Sequence, residues 1–372
     1  MPVRLLSIAS ARPNFVKLAA VHHAFAAHAP KDWEHIIVHT GQHYDPLLSD
    51  VFFKELAIPE PHENLAVKGG VSNEETVAKT KEAMFPILRK HQPNLVLVYG
   101  DVSGALGGAE AAHELGIPVA HIEAGLRSFD EAMPEERNRR AIDHIAQLLF
   151  VTEQSGMDNL QKEKMAGEIH FVGNTMIDTL VRMSTLIKDQ HLPSHLPKKF
   201  GVVTLHRPSN VDRREDLKRN IAFLNEVAGI RPLVFPIHPR TRDRLYQRDE
   251  GLITTPPIAT HHALFLIQPL GYLPFLRLML EADFILTDSG GMQEEAAFLK
   301  KKCFTLRKNT ERPSTVETGC NVLIDLQKAG DRVQVLSYAA DPKPVQAALP
   351  SLWDGRAGER IMGILNTFLL PQ

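Results

Sequence analysis

Short apolar runs alternate along this chain with longer stretches whose apolar residues recur at helical spacing, the pattern of a parallel sheet joined by crossover helices. In the first half the runs predict strands at Arg4–Ala9, His35–Thr40, Leu95–Tyr99, Val119–Ile122, Leu148–Thr152 and His170–Val172. In the second half they predict strands at Gly201–Leu205, Leu233–Pro236, Leu264–Gln268, Phe284–Thr287, Cys303–Leu306 and Val322–Ile324. The two sets are alike, so two Rossmann-like domains facing a central cleft are expected. Between the sets the spacing predicts a helix over Thr175–Lys188, and the polar stretch 191–200, with Pro193 and Pro197, reads as a linker. Ile361, Met362, Ile364, Leu365, Phe368 and Leu369 predict a closing amphipathic helix within 355–370.

A length of 372 residues exceeds what one core fills, which agrees with two domains. The net charge of -2 gives no overall pull toward nucleic acid or anionic lipid, so neither is an expected partner and binding must be local. Cys303 and Cys320 form no CxxC, zinc pattern or disulfide framework and are expected to be buried thiols in a reducing cytoplasm. The first ten residues lack the length and basic flank of a signal peptide, and no segment approaches the roughly 20 apolar residues of a membrane span. A soluble cytoplasmic enzyme is expected.

Where a dinucleotide-binding fold carries G-x-G-x-x-G, the first strand leads instead into Ser10-Ala-Arg-Pro-Asn-Phe-Val-Lys17, so a nicotinamide cofactor is not expected there. Arg12 lies in the turn and Pro13 suits a first helical turn, which sets a cation, with Lys17 beside it, at the mouth of the cleft. A structural cap or a surface pair is the plainer alternative. Gly100-Asp101 ends a buried strand, and the small residues of 102–109 let the next helix approach the sheet closely. Asp101 either caps that helix or faces a ligand. Glu123 follows Val119-Ala-His-Ile at the carboxyl edge, where open α/β sheets bind ligands. Glu135 and Glu136 follow Pro134, and either can be a first-turn carboxylate favoured by the helix dipole. Three carboxylates near one pocket point to proton chemistry.

In the second half His206 ends a strand beside Arg207, a placement that favours a catalytic over a structural histidine, and His238 ends the next one in Pro236-Ile-His-Pro-Arg240 as a candidate substrate contact. Asp288-Ser289-Gly290-Gly291 closes an apolar strand and opens a helical stretch carrying Gln293, Glu294 and Glu295. Backbone N–H groups and a hydroxyl placed there suit phosphate oxygens. Arg307 and Arg312 follow the next strand, with Arg312 placed to add positive charge.

Taken in order, Ala11-Arg-Pro, Thr40-Gly-Gln-His-Tyr-Asp45, Gly100-Asp101, His121-Ile-Glu-Ala-Gly-Leu-Arg127, Pro134-Glu-Glu, Phe171-Val-Gly-Asn-Thr, Leu205-His-Arg, Asp288-Ser-Gly-Gly-Met-Gln-Glu-Glu295 and Thr310-Glu-Arg-Pro resemble the non-hydrolysing UDP-N-acetylglucosamine 2-epimerases. The resemblance spans nearly the whole chain. It implies the GT-B fold, with one domain formed by 1–178 and 356–372, the other by 179–355, and the final helix crossing back onto the first. It also implies that Asp101, Glu123, Glu135 and His206 are catalytic, and that Arg12, Lys17, Ser289, Gly290, Gly291, Glu295 and Arg312 contact the nucleotide sugar. The implied reaction inverts carbon 2 of a UDP-sugar by anti elimination of UDP to a 2-acetamidoglucal and re-addition. It needs a base, an acid and a stabilised departing diphosphate, but no metal or nicotinamide, since no redox step occurs. Which carboxylate is acid and which is base stays open. A cytoplasmic homodimer formed through the first domain is implied as well.

Three departures bear on substrate and regulation. Asn14 stands where many bacterial members have glutamate, Tyr44-Asp45 where an arginine follows the Gln-His pair, and Asp101-Val-Ser-Gly-Ala replaces a more hydroxyl-rich stretch. They leave open activation by a second UDP-N-acetylglucosamine, and they keep UDP-2,3-diacetamido-glucuronate as an alternative substrate. A GT-B glycosyltransferase would share the diphosphate site but has little need for three carboxylates. A hydrolysing epimerase differs only in whether UDP returns. A catalytically silent UDP-sugar sensor would keep Ser289, Gly290, Gly291 and Arg312 without needing the acids.

Overall fold

The computed structural model describes residues 2–41, 52–67, 72–246, 260–261 and 263–370. The chain forms two compact units, Met1–Met183 with Pro350–Gln372, and Ser184–Leu349. The Gln42-His43-Tyr44-Asp45 stretch lies outside the described residues.

In the first unit the strands are β1 (Arg4–Ala9), β2 (Glu34–His39), β3 (Glu63–Asn64), β4 (Leu95–Tyr99), β5 (Val119–Ala124), β6 (Leu148–Val151) and β7 (Glu168–Phe171). They form one parallel sheet in the order β3-β2-β1-β4-β5-β6-β7. β4, Leu-Val-Leu-Val-Tyr, is buried at every position, as a strand covered by helices on both faces must be. One face of the sheet, with Leu6, Ile8, Val96 and Val98, meets Val77, Met84, Leu88, Leu106 and Ile142 in a single core. The small residues of helix Ser103–Glu114 do what their size suggested. A Cβ on Gly108 would lie 2.4 Å from Ile8 Cδ1, and one on Gly107 would lie 2.5 Å from the Val77 carbonyl oxygen, so a side chain at either position would push the helix off its neighbours.

The second unit holds β8 (Gly201–Thr204), β9 (Leu233–Pro236), β10 (Thr260–His261), β11 (Leu264–Ile267), β12 (Phe284–Thr287), β13 (Lys302–Thr305) and β14 (Asn321–Leu323), in the order β10-β11-β9-β8-β12-β13-β14. β10 is antiparallel to β11, and the remaining pairings are parallel. Val203, Leu205, Phe235, Leu286 and Phe304 pack against Leu217, Ile221, Leu224 and Val335. Both sheets are doubly wound, as expected. In each the chain order reverses beside the first strand, between β1 and β4 and between β8 and β12, which is where such sheets bind ligands at their carboxyl ends.

Chain tracing shows where the sequence pattern ran short. β3 and β10 are only two residues each, too short to show a period. β5 continues two residues past the expected end, through Glu123, with its register against β6 broken between Ile122 and Ala124. Helix Thr175–Lys188 forms as read, and the chain leaves the first unit within it, after Met183. The stretch 191–200 has no helix or strand and groups with the second unit. The returning helix Ala357–Leu369 packs on Arg12–His28, where a Cβ on Gly358 would sit 2.7 Å from the Ala20 carbonyl oxygen. Its first turn is held by Asp178, whose carboxylate accepts from the Ala357 amide at 3.1 Å and the Gly358 amide at 2.6 Å. No helix among the described residues is long and apolar enough to cross a membrane. Cys303 and Cys320 are both free and buried, and burial pushes the Cys303 thiol up to about 12.

Candidate active site

At the first switch point β1 and β4 end side by side, and their following turns bring several candidates together. Arg12 opens helix Arg12–His28 and is exposed, with its guanidinium 5.9 Å from the Phe52 ring centroid. Lys17, one turn further, is 5% exposed and forms an ion pair with Glu123, which is 1% exposed. The surface-pair alternative for Lys17 therefore does not describe it. Glu123 reaches this position from a residue with φ of 75°, at the bulged end of β5. A bulge re-aims a side chain by breaking the ladder locally.

Asp101 is half-buried and ion-pairs with Arg139. It is not the cap of the following helix: that helix starts at Ser103 with Val102 at its N-cap and no side-chain capping bond. Arg139 is 1% exposed, and its other nitrogen donates to Glu136 at 2.9 Å. Glu136 also accepts from the Ser128 amide at 2.8 Å, the Ser128 hydroxyl at 2.9 Å and the Phe129 amide at 3.3 Å. Glu136 thus fastens the 128–129 loop, whereas Glu135 is half-buried. Behind them His121 ties the Gly100 carbonyl (2.8 Å) to Asp143 (2.7 Å), and Arg127 donates to the same aspartate at 2.7 Å. Burial alone would raise the Asp143 carboxyl, but His121 and Arg127 outweigh it and hold it below the usual range.

At the second switch point β8 leads to His206 and β12 to Asp288. The Asp288 carboxylate is fully buried and lies 3.2 Å from His206 Nδ1. It accepts from the backbone amides of His206 (3.0 Å) and Arg207 (2.8 Å) and from Asn210 (3.1 Å). Burial acts to raise this carboxyl, yet the His206 hydrogen bond and charge, the Arg207 amide and Asn210 keep it below its ordinary value. An ionised carboxylate at Nδ1 orients the imidazole and fixes its proton on that nitrogen. His238 is exposed, its ring 5.4 Å from that of His206.

Ser289 caps helix Gly290–Phe298 without a side-chain bond to its own first turn. A Cβ on Gly290 would lie 2.7 Å from an Arg312 guanidinium nitrogen, so the absence of a side chain lets Arg312 lie against the helix start. Arg312 is held there by Glu294 at 3.1 Å and Glu311 at 3.4 Å. Glycine amides, a hydroxyl and a guanidinium at one helix N-terminus suit a diphosphate. Glu295 is buried, and that burial, aided by the neighbouring charge of Glu294 against a hydrogen bond from Tyr272, pushes its carboxyl up to about 8. That shift favours the protonated form, which donates a hydrogen bond.

All twelve candidates fall among the described residues, five in the first unit (Arg12, Lys17, Asp101, Glu123, Glu135) and seven in the second (His206, His238, Ser289, Gly290, Gly291, Glu295, Arg312). Sequence reasoning did not single out Asn14, Arg139 or Asp288 as supports of the site. Asp288 stood in a quoted motif, and its position after β12 gives it a partner only once β12 is known to lie beside β8. Among the described residues, no group of three or more His, Cys, Asp or Glu is arranged to hold a metal ion.

Comparisons with known proteins bear on the family and the fold. The family model described as UDP-N-acetylglucosamine 2-epimerase matches residues 26–366. The UDP-N-acetylglucosamine 2-epimerase of Methanocaldococcus jannaschii is 38% identical over 98% of this chain and 99% of its own. The UDP-2,3-diacetamido-2,3-dideoxy-D-glucuronate 2-epimerase of Pseudomonas aeruginosa is also 38% identical, over 96% of this chain and 98% of its own. Among solved structures, the Methanocaldococcus jannaschii UDP-GlcNAc 2-epimerase in complex with UDP-GlcNAc and UDP is similar with a TM-score of 0.88 at 36% identity, covering 98% of this chain and all of that one.

Proposed function

The chain belongs to the UDP-N-acetylglucosamine 2-epimerase family, and from that premise we propose that it is a non-hydrolysing isomerase interconverting UDP-N-acetylglucosamine and UDP-N-acetylmannosamine. The proton on carbon 2 is only weakly acidic. It becomes removable when the bond from carbon 1 to the UDP oxygen breaks as the C–H bond does. The C–H electron pair then forms the double bond of a 2-acetamidoglucal, and UDP leaves with the electrons of the C–O bond. Re-addition of UDP at carbon 1, with a proton delivered to the opposite face of carbon 2, gives the epimer. Atoms balance without an oxidant, reductant or water.

Asp101, Glu123 and Glu135 are the proton-transfer groups in this reading, and Arg12 and Lys17 add positive charge beside them. His206, oriented by Asp288, stabilises charge on the departing diphosphate. Ser289, the amides of Gly290 and Gly291, and Arg312 hold that diphosphate, with His238 and Glu295 as further substrate contacts. The observation that carries the proposal is the gathering of the Lys17–Glu123 and Arg139–Asp101 pairs at the first switch point. A glycosyltransferase has little need for these carboxylates, and a silent sensor could lose them. The active form is proposed to be a cytoplasmic homodimer, which light scattering of the purified protein checks for oligomeric state.

The test is a proton NMR time course with UDP-N-acetylglucosamine in deuterated water. UDP-N-acetylmannosamine signals carrying deuterium at carbon 2 are expected, without release of free N-acetylmannosamine. No exchange would overturn the assignment. Equal identity to the diacetamido-glucuronate epimerase supports a second substrate reading, decided by the same assay with that sugar.

A further inference from the structure

Building on the epimerase reading, we propose that Asn14 is a positioning residue for the proton-transfer site. Its carboxamide ties the turn after β1 to the Gly100–Asp101 turn after β4 and, being uncharged, leaves the Lys17 ammonium to Glu123. Asn14 is 2% exposed. Its Oδ1 accepts from the Ser10 amide at 3.2 Å and the Ala11 amide at 3.0 Å. Its Nδ2 donates to the Tyr99 carbonyl oxygen at 2.7 Å. A helix cap needs only the first two bonds, and a carboxylate accepts them as well as an amide does. The third bond is different in kind, because only an amide places a donor opposite the Tyr99 carbonyl. Tyr99 is the last residue of β4, so that bond holds the backbone from which Gly100 and Asp101 depart.

The same point in space is shared by the charged pair. A Cβ built on Gly100, whose φ is 65°, would lie 3.1 Å from Lys17 Nζ, 3.9 Å from Asn14 Nδ2 and 3.9 Å from Glu123 Oε1. Asn14 and Lys17 therefore flank one glycine from the same helix, with Glu123 across from them on β5. Among the described residues, the titratable groups that these elements carry include Arg12 and Lys17 on helix Arg12–His28, Asp101 after β4, His121 and Glu123 on β5, Arg127 after it, and Glu135, Glu136, Arg137, Arg139, Arg140 and Asp143 on helix Pro134–Ile145. Arg139 joins Asp101 and Glu136, and Asp143 joins His121 and Arg127, while Lys17 joins Glu123. A carboxylate at position 14 would add a negative charge on the same side of Gly100 as Lys17, a competitor for its ammonium and a like charge to Glu123. It would also set an acceptor against the Tyr99 carbonyl.

Asn14→Asp, nearly isosteric, tests this in the full-length protein by deuterium exchange at carbon 2 across pH. Epimerisation requires an ionised carboxylate base, and an added neighbouring negative charge disfavours ionisation. The acid limb of kcat/KM should therefore move up by about one pH unit. kcat at neutral pH should fall on the order of tenfold, with KM for the UDP-sugar within twofold of wild type. Asn14→Ser stays neutral but loses the donor to Tyr99, so its kcat should fall while its acid limb stays in place. A superimposable pH profile for Asn14→Asp overturns the proposal. If that variant does not fold, Asn14→Ser decides alone, and a kcat within twofold of wild type overturns it. A wild-type protein that exchanges neither UDP-sugar overturns the epimerase reading itself, and with it the role of Asn14.

Discussion

Replacing His35 by phenylalanine should flatten the loss of stability on acidification. His35 lies on β2 inside the first unit, with Nε2 2.8 Å from the Ser7 hydroxyl, which is itself 2.7 Å from the Tyr99 hydroxyl. Its Nδ1 lies 3.1 Å from Nδ1 of His22. Two ring nitrogens facing one another can share only one proton, so at least one of the rings is neutral. Burial first, then repulsion from His22 and His62, pushes His35 down to about 3. Burial, with repulsion from His23, His62 and Arg182, brings His22 to about 4. A histidine whose folded value lies below its unfolded value of about 6.5 stabilises the fold above pH 6.5, and that stability drains away as pH falls toward the folded value. At pH 5 the unfolded chain is 1.5 units below its own midpoint, which for His35 alone is about 2 kcal/mol at roughly 1.4 kcal/mol per unit. His22 is partly exposed and adds less. Asp178, pushed up to about 6 chiefly by burial, and Glu295, pushed up to about 8, act in the opposite direction over the same interval. They are common to both proteins and cancel in the comparison. Trp33 and Trp353, the two tryptophans of the chain, are both buried in the first unit, so denaturant melts followed by tryptophan fluorescence report that unit. Between pH 7.5 and 5 the wild type should lose about 2 kcal/mol more than His35→Phe, whatever fixed cost the substitution carries. Equal losses within about 0.5 kcal/mol would refute the reasoning, because the buried ring would then not be the group taking up the proton.

Three further outcomes are expected. Asp288→Asn removes the carboxylate that orients His206, so kcat for epimerisation should fall about 100-fold, and a fall of less than threefold in steady-state assays would count against that role. Glu135→Gln and Glu136→Gln should separate chemistry from structure. The first should abolish carbon-2 deuterium exchange with little change in denaturation midpoint, and the second, at a residue 1% exposed and bonded to Arg139, should cost about 3 kcal/mol in the same melts. Gly290→Ala brings a methyl 2.7 Å from the Arg312 guanidinium and should raise the Kd for UDP about tenfold by calorimetry, whereas an unchanged Kd would show that the close packing of Arg312 on this glycine is not needed to hold the diphosphate.

The doubly wound sheets were legible because parallel strands buried on both faces must be apolar along their length. Phe284–Thr287 and Leu95–Tyr99 stand out at their observed bounds for that reason. Residues at strand ends were legible too, since a polar group after such a run has little to do but meet a ligand or cap a helix. Choosing between those two needed coordinates. Asp101 looked able either to cap Ser103–Glu114 or to face a ligand, and the coordinates exclude the cap, since Val102 holds that position and Asp101 meets Arg139, 38 positions away. Glu135 and Glu136 are neighbours of identical type, and what distinguishes them is the direction a helical turn gives each. Asn14 was visible as a letter but not as a donor to Tyr99, since that bond spans 85 positions.

Glu123 shows why long-range pairing and backbone geometry belong to one argument. A non-glycine residue at φ of 75° is uncommon, and such a conformation costs on the order of 1–3 kcal/mol. A regular continuation of β5 would avoid that cost. The break in register at Ile122/Ala124 makes the residue depart from the ladder, and the carboxylate then meets Lys17 from helix Arg12–His28. Burying that carboxylate without a cation would cost several kcal/mol more, so the bulge and the lysine depend on one another. Neither is specified by residues near it in sequence: the lysine lies 106 positions earlier, on a helix placed by β1. At the end of β5 the strain thus falls on the residue proposed to exchange a proton with carbon 2. There, a fixed position relative to Asp101 matters more than local backbone comfort.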